Sequence, residues 1–172
     1  LITFPHWAHD GGPDKLKEVL RSVEARERLR QEVQPRGRGW DEMWVTYFKQ
    51  PENHRFEGRS VAEVADMAGK HPVDALCDLL LEEDLRVSYY GDIADESTLH
   101  DFIAHPMYMV GTDALLLGDH PPPMAYGAFP FILSQLVREE RKIPLHEAIR
   151  KMTSFPAQRL GISDRGLLHD GM

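Results

Sequence analysis

The sequence predicts an α/β fold built on a parallel sheet. Two observations carry this expectation. Apolar residues recur at helical spacing in several stretches, and between them stand short runs of branched and aromatic residues, Met43–Phe48, Leu85–Tyr90 and Met107–Thr112. Strand patterns that alternate with helical ones imply βα units, whose crossovers lay consecutive strands side by side and parallel.

Asp10-Gly11-Gly12-Pro13 is a turn, and Pro13 is placed to open a helix. Leu16, Val19, Leu20 and Val23 then form one buried stripe, followed by Leu29 and Val33. Arg21, Glu24, Arg26, Glu27, Arg28 and Arg30 fall mostly off that stripe and read as a solvated face. Pro35-Arg36-Gly37-Arg38-Gly39 stops the helix, Met43–Phe48 is a strand, and Gln50–Gly58 a polar loop. Ser60-Val61-Ala62-Glu63 is a capping box that starts a helix running to about Gly69. Pro72 opens another, with Val73, Leu76, Leu79 and Leu80 on one face and Cys77 beside it as a small core residue.

Leu85–Tyr90 is the next strand. Asp95-Glu96-Ser97-Thr98 caps a short helix that ends near His105-Pro106. The continuous apolar run Met107–Thr112 reads as a strand buried on both faces. A proline-rich loop, Leu117–Gly127, precedes helices over Phe129–Glu140 and Pro144–Met152, and Phe155–Gly161 adds one further turn or two, closed by glycine.

Composition excludes several classes. Hydrophobic residues make up 42% of the 172 residues and charged residues 28%, an ordinary globular balance. No apolar run approaches the roughly 20 residues that span a bilayer, so no membrane partner is expected. The formal charge of −8 argues against nucleic acid, which calls for a basic face. The single cysteine, Cys77, allows no internal disulfide, and the expected location is cytoplasmic. The opening Leu1-Ile2-Thr3-Phe4-Pro5 and the closing turn Asp170-Gly171-Met172 lead us to expect a piece of a longer protein.

In parallel α/β folds, reacting groups sit at the carboxyl ends of strands. Two such ends stand out, Tyr89-Tyr90-Gly91-Asp92 and Gly111-Thr112-Asp113. An aspartate at the mouth of a buried strand is partly desolvated and needs a partner; the plainer alternative is that Asp113 only caps the following loop. His120, in that loop, is within reach of the same strand mouth. His6 and His9 have a spacing that suits zinc on a helix, but two ligands do not make a site. His71 and His105 precede prolines and read as structural. No glycine-rich phosphate loop, nucleophile elbow or paired-cysteine motif occurs.

Several stretches together resemble a known family. They are Pro5-His6-Trp7-Ala8-His9-Asp10-Gly11-Gly12, Gly58–Glu63, Met109-Val110-Gly111-Thr112-Asp113, Tyr126-Gly127-Ala128-Phe129-Pro130, Val137-Arg138-Glu139-Glu140, Leu145–Ala157 and Asp164-Arg165-Gly166. They are similar to the N-acyl-D-amino-acid deacylases, the D-aminoacylase branch of the metal-dependent amidohydrolases. The resemblance implies the C-terminal part of a (β/α)8 barrel over residues 1–172, a partial barrel with parallel strands. It implies an inserted helical lid segment and strand over about 35–90, the last barrel strand at 107–113, and the start of a connection to a small β domain at 165–172.

The same resemblance implies zinc in the full-length parent, held by an H-x-H pair, a cysteine and further histidines that precede Leu1, so no complete metal site is expected here. It implies that Asp113 takes a proton from a metal-bound water and passes it to the leaving nitrogen. The family usually carries arginines where this sequence has Met124 and Phe131, and glycine where it has Ala114. Arginine forks onto carboxylates and these residues cannot, so the substrate carboxylate is read differently or the substrate class differs. Met124, His120, Tyr126, Tyr89 and Tyr90 are the candidate substrate contacts, with core packing the role of at least one tyrosine. The expected substrate is a small N-acyl amino acid or a related amide. Two alternatives stay open: a cyclic-amide hydrolase of the same superfamily, and a non-catalytic fragment that self-associates through open sheet edges.

Overall fold

The structure, a computed structural model, describes residues 4–35, 39–91 and 95–170. Of the features named above, Leu1-Ile2-Thr3, Arg36-Gly37-Arg38 in the helix stop, Asp92 at a strand end and the closing Gly171-Met172 lie outside those residues. The chain divides into two compact units, Leu1–Ile93 with Leu116–Pro122, and Ala94–Leu115 with Pro123–Met172.

The first unit runs α1 (His6–His9), α2 (Gly12–Arg21), α3 (Val23–Glu32), β1 (Met43–Tyr47), α4 (Val61–Ala68), α5 (Pro72–Glu82) and β2 (Ser88–Gly91). The expected polar loop after β1 contains a 3-10 helix, Pro51–Phe56. The single helix expected from Pro13 is broken at Ser22, whose hydroxyl accepts the Ala25 N–H at 3.2 Å and so starts α3. Leu16, Leu20 and Leu29 keep their buried places, but Val23 is 78% exposed, because the break at Ser22 resets the helical phase. Arg26 and Arg30 do not merely face solvent. Arg26 Nη2 lies 2.7 Å from Asp78 and Arg30 Nε 2.8 Å from Asp74, tying α3 to α5.

The capping box forms as its residues dictate. The Glu63 N–H donates to Ser60 Oγ at 3.1 Å, and Glu63 Oε2 accepts the Ser60 N–H at 2.8 Å. One core cluster gathers Leu16, Leu20, Leu29, Val73, Cys77 and Leu80; a second gathers Met43, Val45, Phe48, Val61, Val64 and Leu79.

β1 and β2 pair antiparallel, with Trp44 opposite Tyr90 and Val45 opposite Tyr89. The other edge of β1 is taken by the approach to α4: the Val45 N–H donates to Arg59 O at 2.9 Å and the Gly58 N–H to Val45 O at 2.8 Å. This corrects the expected parallel arrangement. Three helical pieces lie between the strands. A connection of that length can return the chain in either direction, so alternation alone does not fix the pairing sense.

The second unit holds α6 (Glu96–Ala104), α7 (Met124–Phe131), a π-helical segment (Ile132–Glu139), α8 (Leu145–Met152) and α9 (Ser154–Arg159). Asp95 caps α6, accepting the Thr98 N–H at 3.1 Å. Pro130 lies inside α7 and has no N–H to give its ladder, and the helix widens into the π segment immediately afterwards. Ile103, Ile132, Leu136, Ile143 and Ala148 form the core here.

Met107–Thr112 is not a strand among the described residues. A strand needs a neighbouring strand to pair with, and among the described residues this run has none. Its apolar side chains are accounted for otherwise, Tyr108 and Val110 packing on the Ile103–Leu136 core. The described residues are thus mostly helical, with two antiparallel strands and no parallel barrel portion. No helix among them is long and apolar enough to cross a membrane.

Candidate functional site

The run that leads to Asp113 is held from below by α8. The Val110 N–H donates to Lys151 O at 3.1 Å. Lys151 Nζ donates to His105 O, and lies 3.4 Å from Tyr108 O. Arg150 Nη2 donates to Pro106 O at 2.9 Å, and its guanidinium is paired with Glu147 at 2.8 Å. Two successive side chains of one helix therefore satisfy the carbonyls at 105, 106 and 108.

Beyond Val110 the chain borders an open apolar cavity of about 390 Å³. Leu99 and Ile103 of α6, Gly111 and Thr112 of the run, and Met124 and Phe131 of α7 contribute to its walls. Asp113 comes next and takes a left-handed backbone, φ 47°. Few L-residues adopt this region readily; aspartate and asparagine are the usual exceptions besides glycine. The side chain is exposed and makes no hydrogen bond to a described residue. This corrects the expectation of a partly desolvated carboxylate: the run is not sandwiched in a sheet, and nothing among the described residues covers its end.

The other candidates divide between the units. Met124 lines the same cavity as Gly111 and Thr112, whereas Tyr126 is 72% exposed and does not line it. Tyr89, Tyr90 and His120 belong to the first unit. Tyr89 packs on the Met43–Val45 core. Tyr90 stacks on Trp44, with ring centroids 5.1 Å apart, and burial pushes its phenol pKa up. The imidazole of His120 lies over Gly58, so close that a Cβ there would come within 2.8 Å of it.

Two residues escaped the reading of the sequence. Lys151 is fully buried, although a lysine four residues after Glu147 looks like half of a surface ion pair. The signal that could have found it is its place on the Ala148 face of α8. Glu57 is buried too, with Oε1 accepting the Phe48 N–H at 3.1 Å and Oε2 the Asp119 N–H at 3.0 Å. No local pattern marks it.

Among the described residues, no group of three or more His, Cys, Asp or Glu side chains could hold a metal ion. His9 Nε2 is instead within 3.0 Å of Phe4 O. Cys77 is core, and burial pushes its thiol pKa up to about 12, far from the thiolate a metal requires.

Comparison with known proteins agrees with the motifs. The chain is 38% identical over 79 residues to the N-acyl-D-aspartate deacylase of Alcaligenes xylosoxydans xylosoxydans, covering 46% of this chain and 16% of that protein. It is 35% identical over 114 residues to the N-acyl-D-glutamate deacylase of the same organism, covering 66% of this chain and 22% of that one. The crystal structure of N-acyl-D-glutamate deacylase from Bordetella bronchiseptica, complexed with zinc and a phosphonate inhibitor, superposes with a TM-score of 0.66 at 28% identity. That match covers 76% of this chain and 26% of the other. No family model matches the sequence. The chain thus spans 16% to 22% of the length of these curated relatives. Over that part, it is homologous to the D-aminoacylases and N-acyl-D-amino-acid deacylases.

Proposed function

We propose that this chain is part of a hydrolase that cleaves the linear amide bond of N-acyl-D-amino acids, with Asp113 as the carboxylate that moves the proton. The observation that supports it most is the backbone of Asp113. A non-glycine residue holds a left-handed conformation directly after two residues that line a cavity, on a run pinned by α8. Aspartate is one of the few L-residues that enter this region readily, so the residue suits the backbone that turns here beside the cavity wall.

The chemistry asks for one mobile proton. Water that attacks an amide carbonyl must lose a proton as the C–O bond forms, and the nitrogen must gain one as the C–N bond breaks. An exposed carboxylate within hydrogen-bond reach can do both in turn. Met124, on the cavity wall, is the substrate contact best supported by this geometry. Tyr89 and Tyr90 are engaged in packing instead.

The Bordetella relative was crystallised with zinc. The residues described here do not fit a zinc centre, and the zinc we propose for the longer protein is held by residues outside them.

The test is to incubate the full-length protein with matched N-acetyl-D- and N-acetyl-L-amino acids and measure the amine released. Release from the D series alone is the expected result. Failure with every D substrate, or equal rates for both series, rejects the proposal. For the polypeptide on its own, the exposed Leu115, Leu116 and Leu117 favour a second reading, a self-associating domain without turnover. Light scattering should then show mass rising with concentration; a monomer at two widely separated concentrations rejects it.

A further inference from the structure

We propose that Lys151 is a positioning residue for Asp113, fixing through its buried ammonium and its own carbonyl the run from which that aspartate projects. The inference rests on the reading of Asp113 given above and adds to it the group that holds the aspartate in place.

Lys151 is 0% exposed. An ammonium taken wholly out of water carries a large desolvation cost, and packing alone does not ask for it, since methionine or leucine would fill the space without one. The compensation lies in the run. The ammonium has three protons; Nζ donates to His105 O and lies 3.4 Å from Tyr108 O, with the Tyr108 ring centroid 6.0 Å away. The Glu147 carboxylate is 3.8 Å off and helps to balance the charge.

From the same residue, the backbone carbonyl accepts the Val110 N–H. Among the described residues, that is the last backbone hydrogen bond before Asp113. Lys151 therefore grips the run at 105, 108 and 110, and everything from Gly111 to Asp113 extends from that anchor. Burial lowers the lysine pKa and Arg150 adds to that, while Glu147 opposes the shift.

The experiment compares Lys151→Met and Asp113→Asn with the unaltered full-length protein. It reads kcat and KM on an N-acetyl-D-amino acid, thermal unfolding, and hydrogen exchange at the Val110 amide. Lys151→Met should lower kcat about a hundredfold, leave KM within about a factor of two, and speed Val110 exchange. A merely structural lysine would lower the unfolding temperature or the folded fraction without that kcat-against-KM split. In the unaltered protein the Val110 amide should exchange as slowly as the core amides of α8. Exchange there at the rate of exposed loops overturns the proposal even if the methionine variant fails to fold. A full kcat in Lys151→Met beside an inactive Asp113→Asn overturns it too, and leaves the Asp113 reading standing. Full activity in Asp113→Asn overturns that reading, whatever Lys151→Met does.

Discussion

Glu57 accepts the backbone N–H of Asp119, 62 residues further along the chain, at 3.0 Å. Its other oxygen accepts the Phe48 N–H at the end of β1, so one buried carboxylate clasps the loop 116–122 to the strand. Gly118 makes the approach possible: its φ is 72°, and a Cβ there would come within 2.5 Å of Thr46 O.

The clasp has a measurable worth. Glu57→Gln keeps the shape but turns an N–H donor toward one of the two amides. It should destabilise the chain by about 1–3 kcal/mol in urea unfolding. It should also speed hydrogen exchange at Phe48 or Asp119. Unchanged exchange at both amides would show that the clasp does not hold in solution.

The α3–α5 ion pairs give stability that depends on pH. Burial alone would raise the Asp78 pKa, but Lys70 and Arg26 outweigh it and hold the carboxyl below its usual range. A depressed folded pKa adds stability that is fully present above the unfolded value of about 3.9. That stability is lost as pH falls through the folded value. The gap in urea midpoint between the parent chain and Asp78→Asn should therefore be constant near neutrality and shrink below about pH 4. A gap that stays constant down to pH 2 would contradict the pairing.

Cys77 should be silent toward thiol reagents. With its pKa near 12 and its side chain in the α2–α5 core, almost no thiolate exists at pH 8. Ellman's reagent should react only as fast as the chain unfolds, and urea should raise the rate sharply. Immediate full labelling of the native protein would overturn the core assignment.

How much of this was legible follows from the range of each signal. Ser60 with Glu63 and Asp95 with Thr98 are local, and each formed the cap its spacing dictates. The break at Ser22 was also written locally, as a capping hydroxyl, but the apolar stripe passing through Val23 hid it. Pairing sense was not legible, because the three helical pieces between β1 and β2 can return the chain in either direction. Met107–Thr112 has the composition of a buried strand, yet composition cannot supply the neighbour a strand needs. Glu57 had no local mark and Lys151 only its place on the Ala148 face, for a related reason: a buried charge is defined by the groups that satisfy it, here backbone groups 62 and 46 residues distant. The strand-end pattern and the family resemblance both pointed to Asp113 as a candidate, and the structure adds its left-handed backbone.

That backbone separates strain from chemistry at Asp113. Asparagine tolerates the left-handed region and should leave the melting temperature nearly unchanged. Valine, branched at Cβ, should cost about 1–2 kcal/mol. Both variants lack the carboxylate. Equal stability of the two would mean that Asp113 does not hold this conformation in solution.

The central claim is that the Asp113 carboxylate moves the proton in amide hydrolysis. The most direct test is the turnover of the full-length Asp113→Asn variant on an N-acetyl-D-amino acid, with folding confirmed by its melting temperature. The variant's kcat should fall about a thousandfold with the fold intact. Turnover within a factor of a few of the parent protein would contradict it.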